Sequence, residues 1–309
     1  MLDPYFKAML DAAAEAGGPS LDTLAPEAAR EVYRTMKFGE EPPIGPVETR
    51  DFTVPGKAGP IPVRHYTPKG AAAVTPGIVF FHGGGWVIGD LETHDDVCRR
   101  LADLTGYRVL AVDYRLAPEN PFPASHDDCL SATNWAFENA ASIGFDPARM
   151  ATCGDSAGGN LSAAIAIDLR DAGRHKLAMQ VLMYPVTTFT VTTESMDRLA
   201  EGFFLTKAGM HYFRDALFGD TGLGAHPRVS VLDVKDLSGL PTAFVSTAGY
   251  DPLSDEGIAY VKALTAAGVE VDHRHYDGFI HGFYNLAALA PAVLGAYDDV
   301  VGALKKTLG

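Results

Sequence analysis

Continuous apolar runs, without polar alternation, dominate the middle and the end of the chain. A run of this kind is typical of a strand that is buried on both faces of a parallel sheet. Such runs occupy 77–82, 107–114, 179–186 and 241–249, with a more polar strand at 269–276 that would lie at an edge. Segments with helical periodicity alternate with them at 93–104, 125–140, 157–172, 255–267 and 282–307. The alternation predicts an α/β fold with a mostly parallel, doubly wound sheet flanked by helices.

The chain before residue 77 has a different pattern. Apolar side chains between Leu2 and Ala13 recur every three or four residues, which predicts an amphipathic helix. A proline-rich stretch at 40–46 follows the helix. Two strands with alternating polarity are then expected at 47–54 and 61–67.

One long segment, residues 187–230, interrupts the alternation of strands and helices. It contains GFFLT at 202–206 and MHYFRDALF at 210–218, which are rich in aromatic side chains. An extra helix or two packed on the core would explain the segment, and so would a lid that closes over a pocket with the N-terminal helix. We favour the lid, because two apolar appendages on a complete sheet need a surface to cover. The predicted domains are a cap of residues 1–45 and 187–230 and a core of residues 46–186 and 231–309.

Composition and charge argue against several classes of protein. The 309 residues carry a net charge of −14, which disfavours binding to nucleic-acid phosphates. No apolar run approaches the roughly 20 residues of a membrane-spanning helix, and the N-terminus lacks the features of a secretory signal. The scattered Cys98, Cys129 and Cys153 predict a reducing compartment, so we expect a cytoplasmic protein. No Cys-x-x-Cys or His-x-x-x-His spacing occurs, so a zinc site is not expected. We expect no metal and no other cofactor.

A serine stands between two glycines in Gly154-Asp155-Ser156-Ala157-Gly158, after an expected strand and before an expected helix. In this context the G-x-S-x-G pattern is typical of a nucleophile elbow, a sharp turn that exposes a reactive serine above the sheet. A glycine loop for phosphate, or simple close packing, is the alternative. No lysine stands where a phosphate-binding loop requires one. Ser156 is therefore the candidate nucleophile.

The segment HGGGW at 82–86 ends another buried strand. Glycines have no Cβ, so their backbone N–H groups can approach a substrate oxygen closely. The N–H groups of Gly83, Gly84 and Ala157 are expected to form an oxyanion hole. The alternative, a dinucleotide-binding loop, would need a G-x-G-x-x-G spacing that is absent. His82 is expected to hold the loop by hydrogen bonding.

A catalytic serine needs a base and an acid that orients the base. His281 follows the last expected strand and is the candidate base. Asp251 comes at the carboxyl end of an earlier strand, where sites form in open α/β sheets, and fits as the acid. Because Pro252 follows it, Asp251 is equally suited to cap a helix. The chain order Ser156, Asp251, His281 favours the triad.

Three further acidic residues have open roles. Asp255 and Glu256, one turn along the expected helix, are the alternative acids to Asp251. Asp155, beside the candidate nucleophile, either braces the glycine loop or is a solvated turn residue.

Five motifs occur in a fixed order along the chain. They are HGGGW at 82–86, DYRLAPENPFPA at 113–124, GDSAGGN at 154–160, DPLSDEG at 251–257 and IHGF at 280–283. Together they resemble the motifs of the hormone-sensitive-lipase-like serine esterases, bacterial family IV of the α/β-hydrolase superfamily. The resemblance implies an α/β-hydrolase core of eight strands and a helical cap built from the N-terminus and an insertion. It also admits a homodimer through the strand at 269–276 or the last helix.

Residues and resemblance together predict a serine carboxylesterase. His281 would take the proton of Ser156 as the hydroxyl attacks an ester carbonyl, and water would then hydrolyse the acyl-enzyme. Activity is expected to rise through roughly pH 6–7, where an ordinary histidine loses its proton. Small esters with short to medium acyl chains are the expected substrates, since aromatic side chains would fill the pocket. The candidate pocket residues are Trp86, Phe203, Phe204, Tyr212 and Phe213.

Two other functions are compatible with the same residues. An amidase, lactonase or deacetylase uses the same triad, because only the leaving group differs. A ligand-binding protein is the second alternative: the plant gibberellin receptors resemble this family but lack the catalytic histidine. The presence of His281 counts against that second function.

Overall fold

The computed structural model describes residues 1–36 and 38–309. Within these residues, eight strands form one sheet: β1 (Val47–Gly56), β2 (Gly59–Pro68), β3 (Thr75–Phe81), β4 (Arg108–Val112), β5 (Phe145–Asp155), β6 (Met179–Met183), β7 (Thr242–Tyr250) and β8 (Val271–Ile280). Their spatial order is β1-β2-β4-β3-β5-β6-β7-β8. Strand β2 runs antiparallel to both of its neighbours, and all pairs from β4 to β8 are parallel. The prediction of a mostly parallel α/β sheet is confirmed.

Along the described chain, the helices precede, connect or follow these strands. They are α1 (Pro4–Ala16), α2 (Pro26–Thr35), α3 (Asp95–Thr105), α4 (Ala124–Glu138), α5 (Ala140–Ile143), α6 (Ala157–Ala172), α7 (Glu194–Arg198), α8 (Lys207–Phe218), α9 (Ser254–Ala266) and α10 (Val293–Leu308). Short 3-10 turns occur at Leu21–Thr23, Leu223–Ala225, Val231–Asp233 and Phe283–Leu286. Helices α4, α6 and α9 pack on one face of the sheet, and α3 and α10 pack on the other.

The central strands are apolar throughout because helices cover both faces of the sheet. In β3, Ile78 and Phe80 belong to one hydrophobic cluster, while Val79 and Phe81 belong to the other. Successive side chains of a strand point to opposite faces, so every residue of β3 is buried. Each large apolar side chain buried in this way contributes about 1.5–3 kcal/mol. This stable frame fixes the positions of the loops at its carboxyl edge.

The last helix is shorter than predicted. Periodicity over 282–307 predicts one helix, whereas the structure has a 3-10 turn at Phe283–Leu286 and begins α10 only at Val293. Pro291 lies between the two. Proline lacks the N–H group that a continuous helix needs, and its ring crowds the preceding turn. The predicted helix start is therefore wrong.

Helix α2 is not predicted by the hydrophobic pattern. Ala29 is its only fully buried residue, so the helix has almost no apolar stripe. Polar contacts attach α2 to the loops that follow β3 and β4 instead: Arg30 donates from Nε to the carbonyl of Val87 and from Nη2 to the carbonyl of Ala117, both at 2.8 Å. These contacts join residues far apart in sequence, so local periodicity cannot reveal them.

Residues 1–45 (the N-terminal segment) contain α1 and α2, and residues 187–230 (the insertion) contain α7 and α8. The two segments touch each other. The hydroxyl of Tyr212 in α8 donates to the carbonyl of Leu24 at 3.3 Å. The rings of Phe38 and Phe204 meet edge to face, with 6.4 Å between their centroids. Both contacts pair the N-terminal segment with the insertion.

Some features are absent from the described residues. None of their helices has both the length and the apolar character needed to cross a membrane. Nor do three histidine, cysteine or acidic side chains converge there in a way that would hold a metal ion. Cys98, Cys129 and Cys153 are all buried as free thiols.

Candidate active site

Three polar side chains meet at the carboxyl edge of the sheet, at the ends of three of its parallel strands. Ser156 follows β5, Asp251 follows β7, and His281 follows β8. His281 Nε2 lies 2.8 Å from Ser156 Oγ, and His281 Nδ1 lies 2.8 Å from Asp251 Oδ2. A carboxylate oxygen only accepts hydrogen bonds, which places a proton on Nδ1 and leaves Nε2 free to accept the serine proton. All three side chains are buried.

Ser156 sits in a strained turn between β5 and α6. Its φ of +55° and ψ of −115° lie in a region that residues with a side chain rarely adopt, at a cost of about 1–3 kcal/mol. The Ser156 N–H donates to the carbonyl of Met183 at 2.8 Å, which holds the turn. A Cβ on Gly158 would collide with the carbonyl oxygen of Phe81, and one on Gly154 would collide with the backbone of Gly158. Both glycines are required because backbone packs on backbone here.

Asp251 uses both of its carboxylate oxygens. Oδ2 contacts His281, and Oδ1 accepts the N–H of Leu253 at 2.8 Å. Helix α9 begins at Ser254, just after this bond. The residue therefore orders the start of a helix with one oxygen and holds the histidine with the other. The two functions that the sequence offered as alternatives for Asp251 coexist in one side chain.

The alternative acids point elsewhere. Asp255 Oδ2 accepts the N–H of Ser195 at 2.7 Å, and Glu256 Oε1 accepts the N–H of Thr187 at 2.6 Å. Neither carboxylate hydrogen-bonds to His281 within the described structure. Burial, with the nearby charge of Asp251, raises the pKa of Glu256 to about 8 against the opposing hydrogen bond from Thr187. Both residues attach the insertion to the core.

The structure contradicts the role predicted for Gly83. Its N–H group donates to Asp155 Oδ1 at 2.8 Å and is therefore not available to a substrate oxygen. A Cβ at Gly83 would collide with the same carboxylate. The expectation that Gly83 supplies an oxyanion-hole donor does not fit this geometry, because the donor already has a buried, charged acceptor.

Three neighbouring N–H groups remain free. No protein acceptor in the described chain meets the N–H groups of Gly84, Gly85 or Ala157. The carbonyl of Gly84 accepts the N–H groups of Val87 and Ile88, which tightens the loop into a turn. Ala157 is the first residue of α6, whose N-terminal end favours negative charge. Three unpaired donors beside Ser156 provide the elements of an anion site.

Asp155 and His82 both contact the glycine loop. Asp155 is 3% exposed; burial opposes its ionisation, but His94, His82 and the Gly83 N–H hold its pKa below the ordinary value. His94, which the sequence does not single out, brings Nε2 to 3.3 Å from Asp155 Oδ1. Burial, assisted by the charge of His94, lowers the pKa of His82 to about 4, so its ring is neutral at pH 7. His82 Nδ1 lies 2.7 Å from the carbonyl of Gly83, and the ring stacks on Tyr114.

The aromatic residues predicted for the pocket occupy two places. On the glycine-loop side, the ring of Phe213 packs so closely on Gly85 that a Cβ there would collide with it. The Tyr212 hydroxyl instead donates to the carbonyl of Leu24 in the N-terminal segment. Trp86 is fully buried in the main hydrophobic cluster, 5.8 Å from the ring of Phe189.

The other two aromatic residues lie on the histidine side. The ring of Phe203 is 5.2 Å from that of Tyr250, next to Asp251 in the chain. Phe204 lies against Gly282, beside His281, and is 39% exposed. Its φ of +70° is an outlier for a bulky residue.

Tyr184 is a site residue that the sequence analysis missed. Its ring centroid lies 4.8 Å from that of His281, and its φ is +36°. Tyr184 directly follows β6, between the strands that carry Ser156 and Asp251. Its position at the carboxyl end of a buried strand could have indicated it, because sites of open α/β sheets form there. The sequence analysis also missed Gly85, the third glycine of the loop, because residue type does not show which N–H groups are free and which are hydrogen-bonded.

Comparison with known proteins agrees with this geometry. Residues 78–285 match the family described as alpha/beta hydrolase fold. The carboxylic ester hydrolase LipN of Mycobacterium tuberculosis is 42% identical over 99% of this chain and 83% of that protein. An ester hydrolase from the metagenome of Lake Arreo is 42% identical, with a TM-score of 0.94 over 98% of each chain. A thermostable esterase of Pseudomonas putida is 35% identical, with a TM-score of 0.95 over 100% of this chain and 98% of that one. The predicted resemblance is confirmed, and the chain belongs to the alpha/beta hydrolase fold family.

Proposed function

We propose that this protein is a serine carboxylesterase with Ser156 as its nucleophile. The observation that carries the proposal is the chain of two 2.8 Å hydrogen bonds from Ser156 through His281 to Asp251. A serine in a strained turn, a neutral imidazole nitrogen facing it and a carboxylate behind the imidazole form the arrangement that activates a hydroxyl. Relatives named carboxylesterase and ester hydrolase support the same activity.

The reaction proceeds in two halves through an acyl-enzyme. In the first half, His281 Nε2 takes the proton of Ser156 as Oγ bonds to the ester carbonyl carbon. The imidazolium then returns that proton to the leaving alcohol as its C–O bond breaks. In the second half, a water gives its proton to Nε2 and attacks the acyl carbon, and the proton returns to Oγ as the acid leaves. Asp251 keeps Nδ1 protonated throughout.

The oxyanion of each half-reaction lies against the N–H groups of Gly84, Gly85 and Ala157. These donors have no acceptor among residues 1–36 and 38–309, so they need little reorganisation when negative charge develops. A donor of this kind is worth about 2.7–4 kcal/mol in the transition state. Gly83 acts indirectly, because its bond to Asp155 fixes the start of the loop.

Residues 1–45 and 187–230 form a cap that limits the substrate to small esters with short to medium acyl chains. The contacts of Phe213 on Gly85 and of Phe204 on Gly282 support this, because bulky rings bound the space around Ser156 on two sides. An enclosed aromatic pocket suits a soluble ester better than a long chain at an interface.

Hydrolysis of p-nitrophenyl esters from acetate to palmitate tests the proposal. We expect turnover to peak at short chains and to be abolished in Ser156→Ala, whose folding is checked by circular dichroism. Turnover that is highest on palmitate would overturn the size limit alone. Absence of turnover on every ester would overturn the esterase, and matched amides and lactones would then separate an amidase or lactonase from a protein that only binds.

We also propose an oligomeric state and a cellular location for the protein. The protein pairs as a homodimer through β8 or through the last helix, α10; β8 lies at an edge of the sheet and can extend it across a two-fold axis. Three buried cysteines present as free thiols support a reducing compartment, the cytoplasm. Sedimentation equilibrium at micromolar concentration tests the dimer, and cell fractionation tests the location.

A further inference from the structure

A second histidine–carboxylate pair lies behind the glycine loop. His94 is 2% exposed, and its Nε2 is 3.3 Å from Asp155 Oδ1. The pair is separate from the His281–Asp251 pair, and the acyl-transfer steps do not use it. A carboxylate buried this deeply costs several kcal/mol unless charged or hydrogen-bonding partners compensate it. The partners of Asp155 are therefore informative about its task.

Asp155 connects His94 to the loop. Oδ1 accepts the Gly83 N–H at 2.8 Å, and within the described residues the one hydrogen-bond partner of Oδ2 is the Asn285 amide, at a long 3.5 Å. Gly83 N also lies 3.4 Å from His94 Nε2, but an Nε2 that donates to Asp155 cannot accept, so the Gly83 N–H bonds to Asp155. Among these partners only the imidazole can carry a full charge. Removing His94 would leave a buried carboxylate with weak support, free to rotate away from Gly83 or to take up water.

His94 is itself held in place by the turn before α3. Its Nδ1 lies 3.0 Å from Thr93 Oγ1, and that hydroxyl also accepts the N–H of Asp90 at 2.9 Å. The Asp90 carboxylate accepts the Thr93 N–H at 2.8 Å and the Arg34 Nε–H at 2.5 Å. A continuous set of polar contacts thus runs from α2 to the glycine loop.

We propose that His94 is a positioning residue: it holds the Asp155 carboxylate against the Gly83 N–H, so that Gly84 and Gly85 present their N–H groups to the oxyanion. The inference rests on the proposed esterase function. Oxyanion donors act only within a narrow distance range, and a displacement of about 1 Å can cost about 100-fold in rate. Substrate in its ground state makes little use of these donors. Loss of His94 should therefore lower kcat and leave KM nearly unchanged.

The test compares His94→Ala and His94→Gln with wild type on p-nitrophenyl butyrate. We expect His94→Ala to lower kcat about 10- to 100-fold with KM within about twofold. His94→Gln should recover part of the rate, because the glutamine amide can donate from near the position of Nε2. His65→Gln is the matched control: His65 is also buried, but it lies on β2 and packs on Phe145.

A transition-state analogue separates positioning from loss of fold. A trifluoromethyl ketone bonds to Ser156 Oγ, whose proton passes to His281, and its oxygen becomes an oxyanion. Its inhibition constant should rise in His94→Ala by the same factor as kcat falls. Rates are normalised to the active fraction, titrated with a phosphonate ester.

Each outcome has a definite meaning. Unchanged normalised kcat in His94→Ala, a loss expressed in KM, or an unchanged inhibition constant would overturn the inference while leaving the esterase intact. An equal loss in His65→Gln would make the effect one of general destabilisation and would also overturn it. A wild-type protein without Ser156-dependent hydrolysis would overturn the proposed function and this inference with it.

Discussion

An amide cannot replace both oxygens of the Asp251 carboxylate. Oδ2 accepts from His281 Nδ1, and Oδ1 accepts from the Leu253 N–H. An asparagine at this position has one oxygen to offer. If that oxygen stays on Leu253, its NH₂ group faces Nδ1 and forces the proton of the imidazole onto Nε2. The imidazole then cannot accept the proton of Ser156.

Asp251→Asn should therefore abolish most activity while the protein stays folded. We expect kcat to fall by about 10⁴-fold, because the wrong tautomer cannot act as a base. The Leu253 cap can survive, so the melting temperature should change by only a few degrees. Asp255→Asn, four residues along, is the control and should keep normal kcat, since Asp255 bonds to Ser195. Comparable activity of Asp251→Asn and wild type would refute the assigned role.

At the same scale, the glycine loop shows what residue types alone leave open. The motif at 82–86 correctly marks a loop with closely approaching backbone, and Gly83, Gly84 and Gly85 look equivalent in it. Only the folded chain distinguishes them, because the Asp155 carboxylate comes from another strand and occupies the Gly83 N–H. The identity of the free donors is thus a tertiary property.

Among the elements, α9 and the start of the insertion are joined through a buried carboxyl group. Glu256 Oε1 accepts the N–H groups of Thr187 and Thr188 at 2.6 and 3.3 Å. The Thr187 hydroxyl donates to the Glu256 carbonyl at 3.0 Å. Glu256 follows Asp251 closely in the chain. The start of the insertion is therefore bonded to the same segment that carries Asp251.

Glu256→Gln should alter the pH dependence of stability. Burial raises the pKa of Glu256 from 4.5 to about 8. The folded state then binds the proton more tightly than the unfolded chain, so this contribution is complete below about pH 4.5, falls as pH rises towards 8, and stays level above. Glutamine keeps the acceptor oxygen and never ionises. We expect the variant to become progressively more stable than wild type as pH rises from 5 to 8, by several kcal/mol over that range.

Melting temperatures of both proteins from pH 5 to 9 measure this difference. The exposed Glu201→Gln, in the same insertion, removes a carboxylate without touching α9 and should follow the wild-type curve. Parallel curves for wild type and Glu256→Gln would show that Glu256 does not titrate in this range.

At the level of the whole molecule, two segments that are distant in the chain meet beside the triad. Phe204 of the insertion contacts Phe38 of the N-terminal segment and lies over Gly282, next to His281. It is also one of the few large apolar side chains with substantial exposure, at 39%. A partly exposed ring at the junction of both segments is well placed to limit which acyl or alcohol groups reach Ser156.

Phe204→Ala should widen the substrate range. We expect kcat/KM for octanoate and decanoate esters to rise several-fold relative to butyrate, by about 1 kcal/mol of relative transition-state binding, because about one ring of space is opened. Val191→Ala is the control, since Val191 is an exposed apolar residue of the same insertion, away from these contacts. A chain-length profile that is identical in Phe204→Ala and wild type would place the limit elsewhere.

Much of this protein is determined by its sequence alone. Runs such as that of β3 specify buried strands, because an apolar stretch has to be covered on both faces. Gly154 and Gly158 specify the elbow around Ser156, because any Cβ there meets backbone. The order of the triad residues followed from the order of strand ends.

The tertiary structure decided the rest. The long-range hydrogen bonds of Arg30 position α2. One oxygen of Asp251 accepts from Leu253 while the other contacts His281, and His94 lies against Asp155. Local pattern reports which face of an element is buried, and it carries no information about which distant polar group arrives there. Hydrogen bonds between residues tens of positions apart depend on the assembled fold, so only the fold distinguishes a free donor from an occupied one.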